Sequence, residues 1–311
     1  MSIAMRDAYG KHLAKLGGEY PELVVLDADV SSSTRSNIFG KEFPDRFYNV
    51  GVAEANLVDI ANGLAICGLK PVVNTFAIFL VLKAADQIRN VSAYNSLPVV
   101  FVGSYGGLSD SYDGASHQAI EDIAIMRSIS RMQVIVPSDA RQAELALDYA
   151  LGQDGPVYIR ICRNEVPDLP EPESFDGNAI QVREGNDITI AANGITVGFA
   201  LEAARELKKE GIEAEVFSVP FVKPMKFDVL EKSIRKTKRL LTVEEHVLDG
   251  GFASAICEKL MLSGLMPDFD SIHLTDFAES GPYDELLKKY GISAENIASR
   301  ARALFMKGAH R

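Results

Sequence analysis

Residues 156–178 read PVYIRICRNEVPDLPEPESFDGN. The run from Pro156 to Ile161 is short, apolar and rich in β-branched residues, which predicts a buried strand. The segment from Glu165 to Asn178 holds three prolines and five acidic residues with little apolar content, which is typical of a linker. A buried strand followed by such a segment indicates the boundary between two domains.

On both sides of this boundary, helix and strand patterns alternate as a parallel sheet requires. Upstream, strands are predicted at 23–26, 72–74, 98–103, 133–136 and 156–161, with helices at 4–17, 53–66, 78–94, 118–128 and 139–151. Downstream, strands at 188–192, 214–219, 240–243 and 271–274 alternate with helices at 196–210, 226–236 and 250–263, before two terminal helices. We therefore expect two parallel-sheet α/β domains, residues 1–165 and 181–311, joined by a linker at 166–180.

Composition narrows the class of protein. The 311 residues carry a formal net charge of −11, which disfavours binding to nucleic acid or to an anionic membrane. The three cysteines, Cys67, Cys162 and Cys257, are scattered, with no metal spacing and no disulfide framework, as is usual in a reducing cytoplasm. The N-terminus lacks the apolar core of a signal peptide, and the most apolar stretch is too short to span a bilayer. We expect a soluble cytoplasmic protein.

Glu54 is the first candidate for chemistry. In NVGVAEANLVDIANGLA (49–65), it shares a helical stripe with Leu57, Val58 and Ala61. A carboxylate on a buried face is costly unless it is paired, or is protonated and given a partner. The alternative is a first-turn glutamate that the helix dipole favours.

His117 is the second candidate, in DGASHQAIED (113–122). It follows a glycine turn, and Asp113 lies four residues upstream. A histidine on a loop near an aspartate suits general acid–base catalysis or recognition of hydroxyl groups. The alternative is a helix N-terminus in which Ser116 or His117 precedes Glu121 as a loose capping signal.

Aromatic and arginine residues supply further candidates. Phe76 and Phe79, in the NTFAIF segment, are spaced as core residues usually are, or they could stack on a flat ring. Arg6, Arg160 and Arg163 are surface charges if separate and a phosphate clamp if they converge. The sequence has no Walker loop, no GxGxxG after a strand, no GxSxG and no HExxH.

Four segments in order resemble the C-terminal section of transketolases, and the resemblance covers nearly the whole chain. They are FYNVGVAEANLVDIANGLA (47–65), VVNTFAIFLVLKAADQIRN (72–90), DGASHQAIEDIAIMR (113–127) and DGPVYIRICR (154–163). The resemblance implies a thiamine-diphosphate pyrimidine-binding domain followed by a transketolase C-terminal domain. It also implies transfer of a two-carbon ketol unit from a ketose, or ketose phosphate, to an aldose.

The resemblance implies a role for each candidate. Glu54 would be catalytic, bonding the pyrimidine ring nitrogen of the cofactor and promoting its imino tautomer, while Phe76 stacks on the pyrimidine with Phe79 beside it. His117 would be both catalytic and substrate-binding. The substrate-binding residues that it implies are Arg6, Asp29, Ser33, Asp113, His117 and Arg163. Of these, Arg6, Ser33 and Arg163 would bind a phosphate, and Asp113 and His117 would contact sugar hydroxyls.

The diphosphate and Mg²⁺ must be held elsewhere, because the sequence lacks the GDG and downstream Asn pattern by which thiamine enzymes bind them. The resemblance therefore implies a diphosphate-binding partner subunit and a heterotetramer of two large and two small chains. This chain itself is predicted to bind no metal.

Two departures from the family pattern affect the substrate. Tyr105 stands where a phosphate-binding histidine is usual, and Tyr112 stands where a glutamate is usual, with Asp110 nearby. These residues predict a modified sugar phosphate or a sulfonated sugar in place of the common pentose phosphates. Three alternatives stay open: the beta subunit of a 2-oxoacid dehydrogenase, a fragment of a deoxyxylulose-phosphate synthase, and a catalytically silent α/β regulatory subunit.

Overall fold

The computed structural model describes residues 3–308. Strands in this part of the chain are β1 (Leu23–Asp27), β2 (Phe47–Asn49), β3 (Lys70–Phe76), β4 (Val100–Ser104), β5 (Gln133–Ile135), β6 (Val157–Ile161), β7 (Ile180–Arg183), β8 (Ile188–Ala192), β9 (Ala214–Ser218), β10 (Phe221–Lys223), β11 (Arg239–Val247) and β12 (Asp268–Leu274). They form two sheets, of seven and five strands.

Helices flank both sheets. They are α1 (Met5–Glu19), α2 (Ser31–Thr34), α3 (Asn37–Glu42), α4 (Glu54–Ile66), α5 (Ala77–Lys83), α6 (Ala85–Gln87), α7 (Asp122–Ser128), α8 (Ala140–Leu151), α9 (Thr196–Lys209), α10 (Asp228–Thr237), α11 (Phe252–Leu262), α12 (Tyr283–Lys289) and α13 (Ala294–Gly308). A 3₁₀ turn covers Pro44–Arg46, and a π-helical turn covers Ile88–Ala93. None of the helices found between residues 3 and 308 is long and apolar enough to cross a membrane.

The first sheet has the order β10-β5-β6-β4-β3-β1-β2, and the second has the order β12-β11-β8-β9-β7. Neighbouring strands are parallel except at one edge of each sheet, where β10 is antiparallel to β5 and β7 is antiparallel to β9. The prediction of two parallel-sheet α/β domains is confirmed, with one antiparallel edge strand on each sheet. An antiparallel edge strand on a parallel sheet is common, and it covers an edge that would otherwise be exposed.

The inner strands explain the apolar runs of the sequence. Every residue of β1, β4, β6, β8 and β9 is buried. A strand covered by helices on both faces has no solvent side, so its sequence is continuously apolar and does not alternate. This is why the βα order was legible from sequence.

Several boundaries differ from the prediction. The helix expected at 78–94 is interrupted at Ala84, whose backbone leaves the helical region, and continues as α6 and the π-helical turn. The helix expected at 118–128 begins only at Asp122. The residues from Tyr105 to Glu121 therefore form one long loop between β4 and α7, which we call the β4–α7 loop.

Topology gathers the candidate residues at one edge. Strands β6, β4, β3 and β1 are adjacent and parallel, so the segments that leave their carboxyl ends lie side by side. Binding sites in open α/β sheets form at this edge. It carries the turn after β1, the start of α5, the β4–α7 loop and the residues after β6.

Candidate active site

Glu54 is the first residue of α4, and the structure buries it, with 4% of its surface exposed. The helix N-terminus favours a carboxylate at this position. Its Oε1 lies 3.3 Å from Nζ of Lys83, which comes from the last turn of α5 and is half exposed. The nearly buried carboxylate therefore has a cation beside it, which sequence reasoning missed because the two residues lie 29 positions apart.

Three aromatic rings, those of Phe76, Phe79 and Tyr105, lie together beside this carboxylate, and we call them the aromatic wall. Phe76 lies 5.9 Å from Phe79 and 4.6 Å from Tyr105, measured between ring centroids. The imidazole of His117 meets the Phe79 ring edge-on at 4.9 Å. The Lys83 ammonium lies 4.2 Å from the centre of the Phe79 ring, so one cation touches both the acid and the aromatic wall.

This set of side chains suits the pyrimidine ring of thiamine diphosphate. A flat nitrogen heterocycle needs an aromatic face to lie against and a carboxyl group to bond its ring nitrogen. Phe76 and Phe79 offer the first, and Glu54 offers the second. The ammonium of Lys83 contacts both Glu54 and Phe79, so it lies where the edge of such a ring would lie.

Arg6 and Arg163 meet at Tyr105. Nη1 of Arg6 donates to the Tyr105 hydroxyl at 2.7 Å and to the backbone oxygen of Ser33 at 3.2 Å. The two guanidinium carbons lie 5.7 Å and 5.1 Å from the centre of the Tyr105 ring. Tyr105 has a φ of 63°, which is strained for a residue with a side chain and is held by these contacts.

The β4–α7 loop brings acidic residues to the same place. Asp110 is 1% exposed, and its Oδ1 lies 3.7 Å from Nη1 of Arg163. Burial and, after it, the nearby Asp113 carboxylate raise the pKa of Asp110 to about 6, whereas His117 and Arg163 oppose the rise. Asp113, His117, Arg163 and Asp110 therefore form one electrostatic cluster. Tyr112, on the same loop, is 69% exposed.

His117 lies at the end of this loop nearest the aromatic wall. Its Nδ1 lies 3.0 Å from Oγ of Ser116. Neither Ser116 nor His117 caps a helix, because α7 begins five residues further on, at Asp122. The capping alternative is therefore excluded, and the imidazole is a loop residue beside Phe79.

The turn after β1 positions Asp29 and Ser33. Asp27, buried at the end of β1, accepts hydrogen bonds from Thr34 Oγ1, Ser36 Oγ and Val30 N at 2.7–2.8 Å. Burial raises the pKa of Asp27 although these donors oppose the rise. Asp29 has a φ of 66°, and its Oδ1 accepts from the Asn49 amide at 2.7 Å. Asp27 therefore holds the turn together through these hydrogen bonds. It was not among the residues predicted from the sequence.

Arg160 does not join the other two arginines. Its side chain is buried, and Nε lies 2.9 Å from Oδ2 of Asp122. Nη2 donates to the backbone oxygens of Ala119 at 2.8 Å and Glu245 at 2.9 Å. The hypothesis of a three-arginine clamp is therefore wrong for Arg160, whose donors are used inside the protein. From residue 3 to residue 308, no group of three or more His, Cys, Asp or Glu residues could hold a metal ion.

Comparison with known families agrees with this geometry. The family model described as the pyrimidine-binding domain of transketolase matches residues 1–168, and that of the transketolase C-terminal domain matches residues 177–297. The chain belongs to the transketolase family. Its two α/β domains are thus the pyrimidine-binding and C-terminal domains of that family, as the sequence predicted.

Individual relatives of this transketolase-family chain match it nearly end to end. A Methanocaldococcus jannaschii protein named as a transketolase C-terminal section is 41% identical, over 95% of this chain and 94% of its own. The 6-deoxy-6-sulfo-D-fructose transketolase subunit SqwH of Clostridium sp. strain MSTE9 is 37% identical, over 96% and 93%. A solved split-gene transketolase, described as an inactive beta4 tetramer, has a TM-score of 0.90 and 41% identity, over 98% and 99%.

Longer members of the family also match. The chain spans 48% of the length of the 1-deoxy-D-xylulose-5-phosphate synthase of Symbiobacterium thermophilum, to which it is 33% identical. A transketolase-family chain of this extent therefore corresponds to half of some relatives and to the whole of others.

Proposed function

We propose that this chain is the small subunit of a split transketolase, which transfers a two-carbon ketol unit from a ketose to an aldose together with a diphosphate-binding subunit. The observation that carries the proposal is the buried carboxyl group of Glu54 beside the aromatic wall of Phe76 and Phe79. The solved split-gene relative, which this chain covers almost completely, supports the division into two subunits.

The proposed cofactor is thiamine diphosphate, which when bound supplies the electron sink that stabilises the carbanion formed by carbon–carbon cleavage. Glu54 would hold a proton against the pyrimidine ring nitrogen. Phe76 would lie against the face of the ring, and Phe79 would close its side and exclude water. The start of α4 buries this carboxyl group, so that water would compete little with the ring nitrogen for it.

His117 and Asp113 would bind the sugar. His117 presents its imidazole next to the aromatic wall, and its Nδ1 is close to Ser116 Oγ. We infer that Nε2 is the nitrogen that faces a sugar hydroxyl and moves its proton. Asp113, in the same electrostatic cluster, would accept a hydrogen bond from a second hydroxyl.

The anionic end of the sugar would lie between Arg6 and Arg163, above the turn that carries Ser33 and Asp29. Arg6 already donates to Tyr105, and Arg163 has the Asp110 carboxylate 3.7 Å away. This end of the site is therefore less positive than two free guanidinium groups would be. A phosphate carries a charge of about −1.5 to −2 at neutral pH. A nearby carboxylate therefore repels it more strongly than it repels a monoanion.

We therefore propose a substrate whose distal group is less charged than a phosphate, such as a sulfonated or otherwise modified sugar. The name of the SqwH relative, which specifies a 6-deoxy-6-sulfo sugar, supports this proposal. Tyr105 takes up space between the arginines and so favours a compact group. Tyr112, further along the same loop, is exposed, and its contacts among residues 3–308 assign it no role.

The partner subunit would hold the diphosphate and Mg²⁺ and would cover the edge of the sheet where Glu54 and the aromatic wall lie. We propose a heterotetramer of two copies of each subunit, the symmetric assembly in which each site forms between chains. The acidic net charge of −11 fits a cytoplasmic enzyme with sugar substrates, in preference to nucleic acid or membrane partners.

Co-expression with a diphosphate-binding subunit tests the proposal. Ketol transfer should require both chains, thiamine diphosphate, Mg²⁺ and Glu54, and Glu54→Ala should abolish it. A complex that binds the cofactor but only decarboxylates 2-oxoacids would favour the dehydrogenase beta subunit. Condensation of pyruvate with an aldose phosphate would favour a deoxyxylulose-phosphate synthase. If no candidate subunit forms a complex, the silent regulatory subunit becomes the better interpretation.

A further inference from the structure

The β4–α7 loop, which carries Asp110, Asp113 and His117, is held by the C-terminal domain. The Ser111 carbonyl accepts a hydrogen bond from Gly281 N at 3.0 Å, and Gln118 donates to the Glu279 carbonyl at 3.1 Å. Both partners come from the segment between β12 and α12. The loop belongs to the first domain in sequence, yet its conformation is fixed from the second.

Glu245, on β11, makes a side-chain contact with the first part of this loop. Its Oε1 accepts a hydrogen bond from the backbone N–H of Leu108 at 2.8 Å, two residues before Asp110. The same oxygen accepts from the Tyr283 hydroxyl at 3.0 Å. Glu245 is 3% exposed, so this is a buried carboxylate committed to a backbone amide of the other domain.

Gly107 shows how closely the loop is pressed on this carboxylate. A Cβ at Gly107 would overlap the Glu245 carboxyl group, and the φ of 66° at Gly107 is itself one that favours glycine. The loop can therefore reach Glu245 only because residue 107 has no side chain. The Glu245 carboxyl group thus accepts a hydrogen bond from Leu108 N and packs directly against Gly107, and the two contacts together fix the loop at this point.

Arg160 makes a second set of buried contacts between this loop and β11. It donates to the Glu245 backbone oxygen and to the Ala119 carbonyl near the end of the loop, and it pairs with Asp122 at the start of α7. The last part of the loop, the start of α7 and the strand that carries Glu245 thus meet at one buried guanidinium. Burial raises the pKa of Glu245 to about 7, although Arg160 and the Leu108 N–H oppose the rise.

We propose that Glu245 is a positioning residue for the β4–α7 loop, so that the C-terminal domain sets the placement of Asp110, Asp113 and His117. The inference rests on the proposed function in one respect, that Asp113 and His117 bind the sugar and that Asp110 lies beside the arginine that holds its anionic end. Glu245 itself lies behind the loop and acts through Leu108. The C-terminal domain then contributes to substrate binding without contacting the substrate.

Hydrogen–deuterium exchange on the full chain tests the anchor independently of catalysis. Glu245→Gln keeps the size of the side chain and removes its charge, and loss of a charge-assisted bond should speed amide exchange across residues 107–113 by about fivefold or more. Glu244→Gln is the matched control, because Glu244 is also buried but bonds Phe252 N and Ala253 N within its own domain. It should leave residues 107–113 unchanged.

Tyr283→Phe is the second variant, since it removes one hydroxyl that bonds Glu245 and leaves the loop itself intact. It should speed exchange across residues 107–113 in the same direction and to a smaller extent. In the complex with the partner subunit, Glu245→Gln should raise KM for the sugar more than it lowers kcat. Wild-type exchange at residues 107–113 in both Glu245→Gln and Tyr283→Phe overturns the proposal. Absence of ketol transfer in the wild-type complex would count against the proposed function and leave the exchange result standing.

Discussion

The ammonium of Lys83, on α5, lies 3.3 Å from the carboxylate of Glu54, on α4, and both helices begin at the same edge of the sheet. The same ammonium lies over the Phe79 ring. A pyrimidine bound as proposed would bond Glu54 and pack among the same aromatic rings. Lys83 therefore makes, within the chain, the two kinds of contact that the cofactor ring would make.

The first prediction is that Lys83→Met tightens binding of thiamine diphosphate to the assembled enzyme. The variant removes a cation that competes for Glu54, and because Lys83 is half exposed the gain is limited to about two- to fivefold. Isothermal titration calorimetry of the complex measures it. Lys41→Met, at an exposed position of the same domain, should leave the affinity unchanged. Equal binding by Lys83→Met would show that Lys83 does not compete with the cofactor, and weaker binding would show that it assists.

The second prediction is that Glu54→Gln lowers kcat of the complex by about a hundredfold or more, because an amide cannot pass a proton to the ring nitrogen. The fold should survive, since Gln occupies the same volume at the start of α4. Asp59→Asn, on the exposed face of that helix, is the control and should keep full activity. Circular dichroism of both variants checks that the helix content is retained. An active Glu54→Gln enzyme is incompatible with the proposed role.

The third prediction concerns Asp110 and the charge of the substrate. Asp110→Asn removes the carboxylate beside Arg163, so kcat/KM for a phosphorylated sugar should rise by about tenfold relative to a sulfonated one. Because the pKa of Asp110 is raised to about 6, the wild-type preference should shift the same way as the pH falls through that value, and by more than the preference of the variant, in which only the substrate phosphate titrates in this range. Asp154→Asn, in an exposed turn, is the control.

Competition assays with paired sugars at several pH values measure this preference. The experiment uses the complex with the partner subunit and compares the two sugars in one vessel, so that differences in enzyme concentration cancel. An unchanged ratio in Asp110→Asn would mean that Arg163 is not tuned by its acidic neighbour.

The fourth prediction is that stability declines as the pH rises between about 6.5 and about 8. Burial raises the pKa of Glu244 to about 8 against the pull of Phe252 N, Ala253 N, Arg160 and Arg127. The folded protein thus keeps a proton that the unfolded chain releases above the ordinary glutamate pKa of 4.5, so the free energy of unfolding falls with rising pH in this window. Glu245 contributes in the same direction up to its pKa of about 7.

Thermal unfolding at the two pH values measures this decline. The Tm of Glu244→Gln should fall less than that of the wild type, because the variant has no carboxyl group to ionise at this position. Glu173→Gln, at an exposed linker position, should follow the wild type. Burial lowers the pKa of His246 to about 4. This residue therefore reduces the free energy of unfolding only as the pH drops below its ordinary pKa of 6.5, which is outside the window. A wild-type slope in Glu244→Gln would contradict the assignment.

The fold was predictable because buried parallel strands such as β4 and β6 are mostly apolar and are separated by helical patterns. Edge strands of only three or four residues, such as β2 and β7, are too short to give such a signal. Glu54 was identifiable as a carboxylate on an apolar stripe. Its partner Lys83 was not, because an ion pair between two helices depends on their packing, which no local pattern records.

The same distinction separates Arg163 from Arg160. In the sequence both are arginines at the end of one strand, three residues apart. In the structure one faces the β4–α7 loop from outside, and the other is enclosed with Asp122 and Glu245. Side chains on a strand point alternately to opposite faces, but which face is buried under a second domain depends on residues about 85 positions away.

Strand β10 has a consequence for how such an enzyme can be divided into genes. It follows the linker in sequence yet completes the sheet of the first domain, and Val136 N bonds the Pro220 carbonyl beside it. A break at the linker would strip that sheet of an edge strand and the β4–α7 loop of its anchor. We therefore expect that gene fission or domain shuffling at residues 166–180 would destabilise both halves.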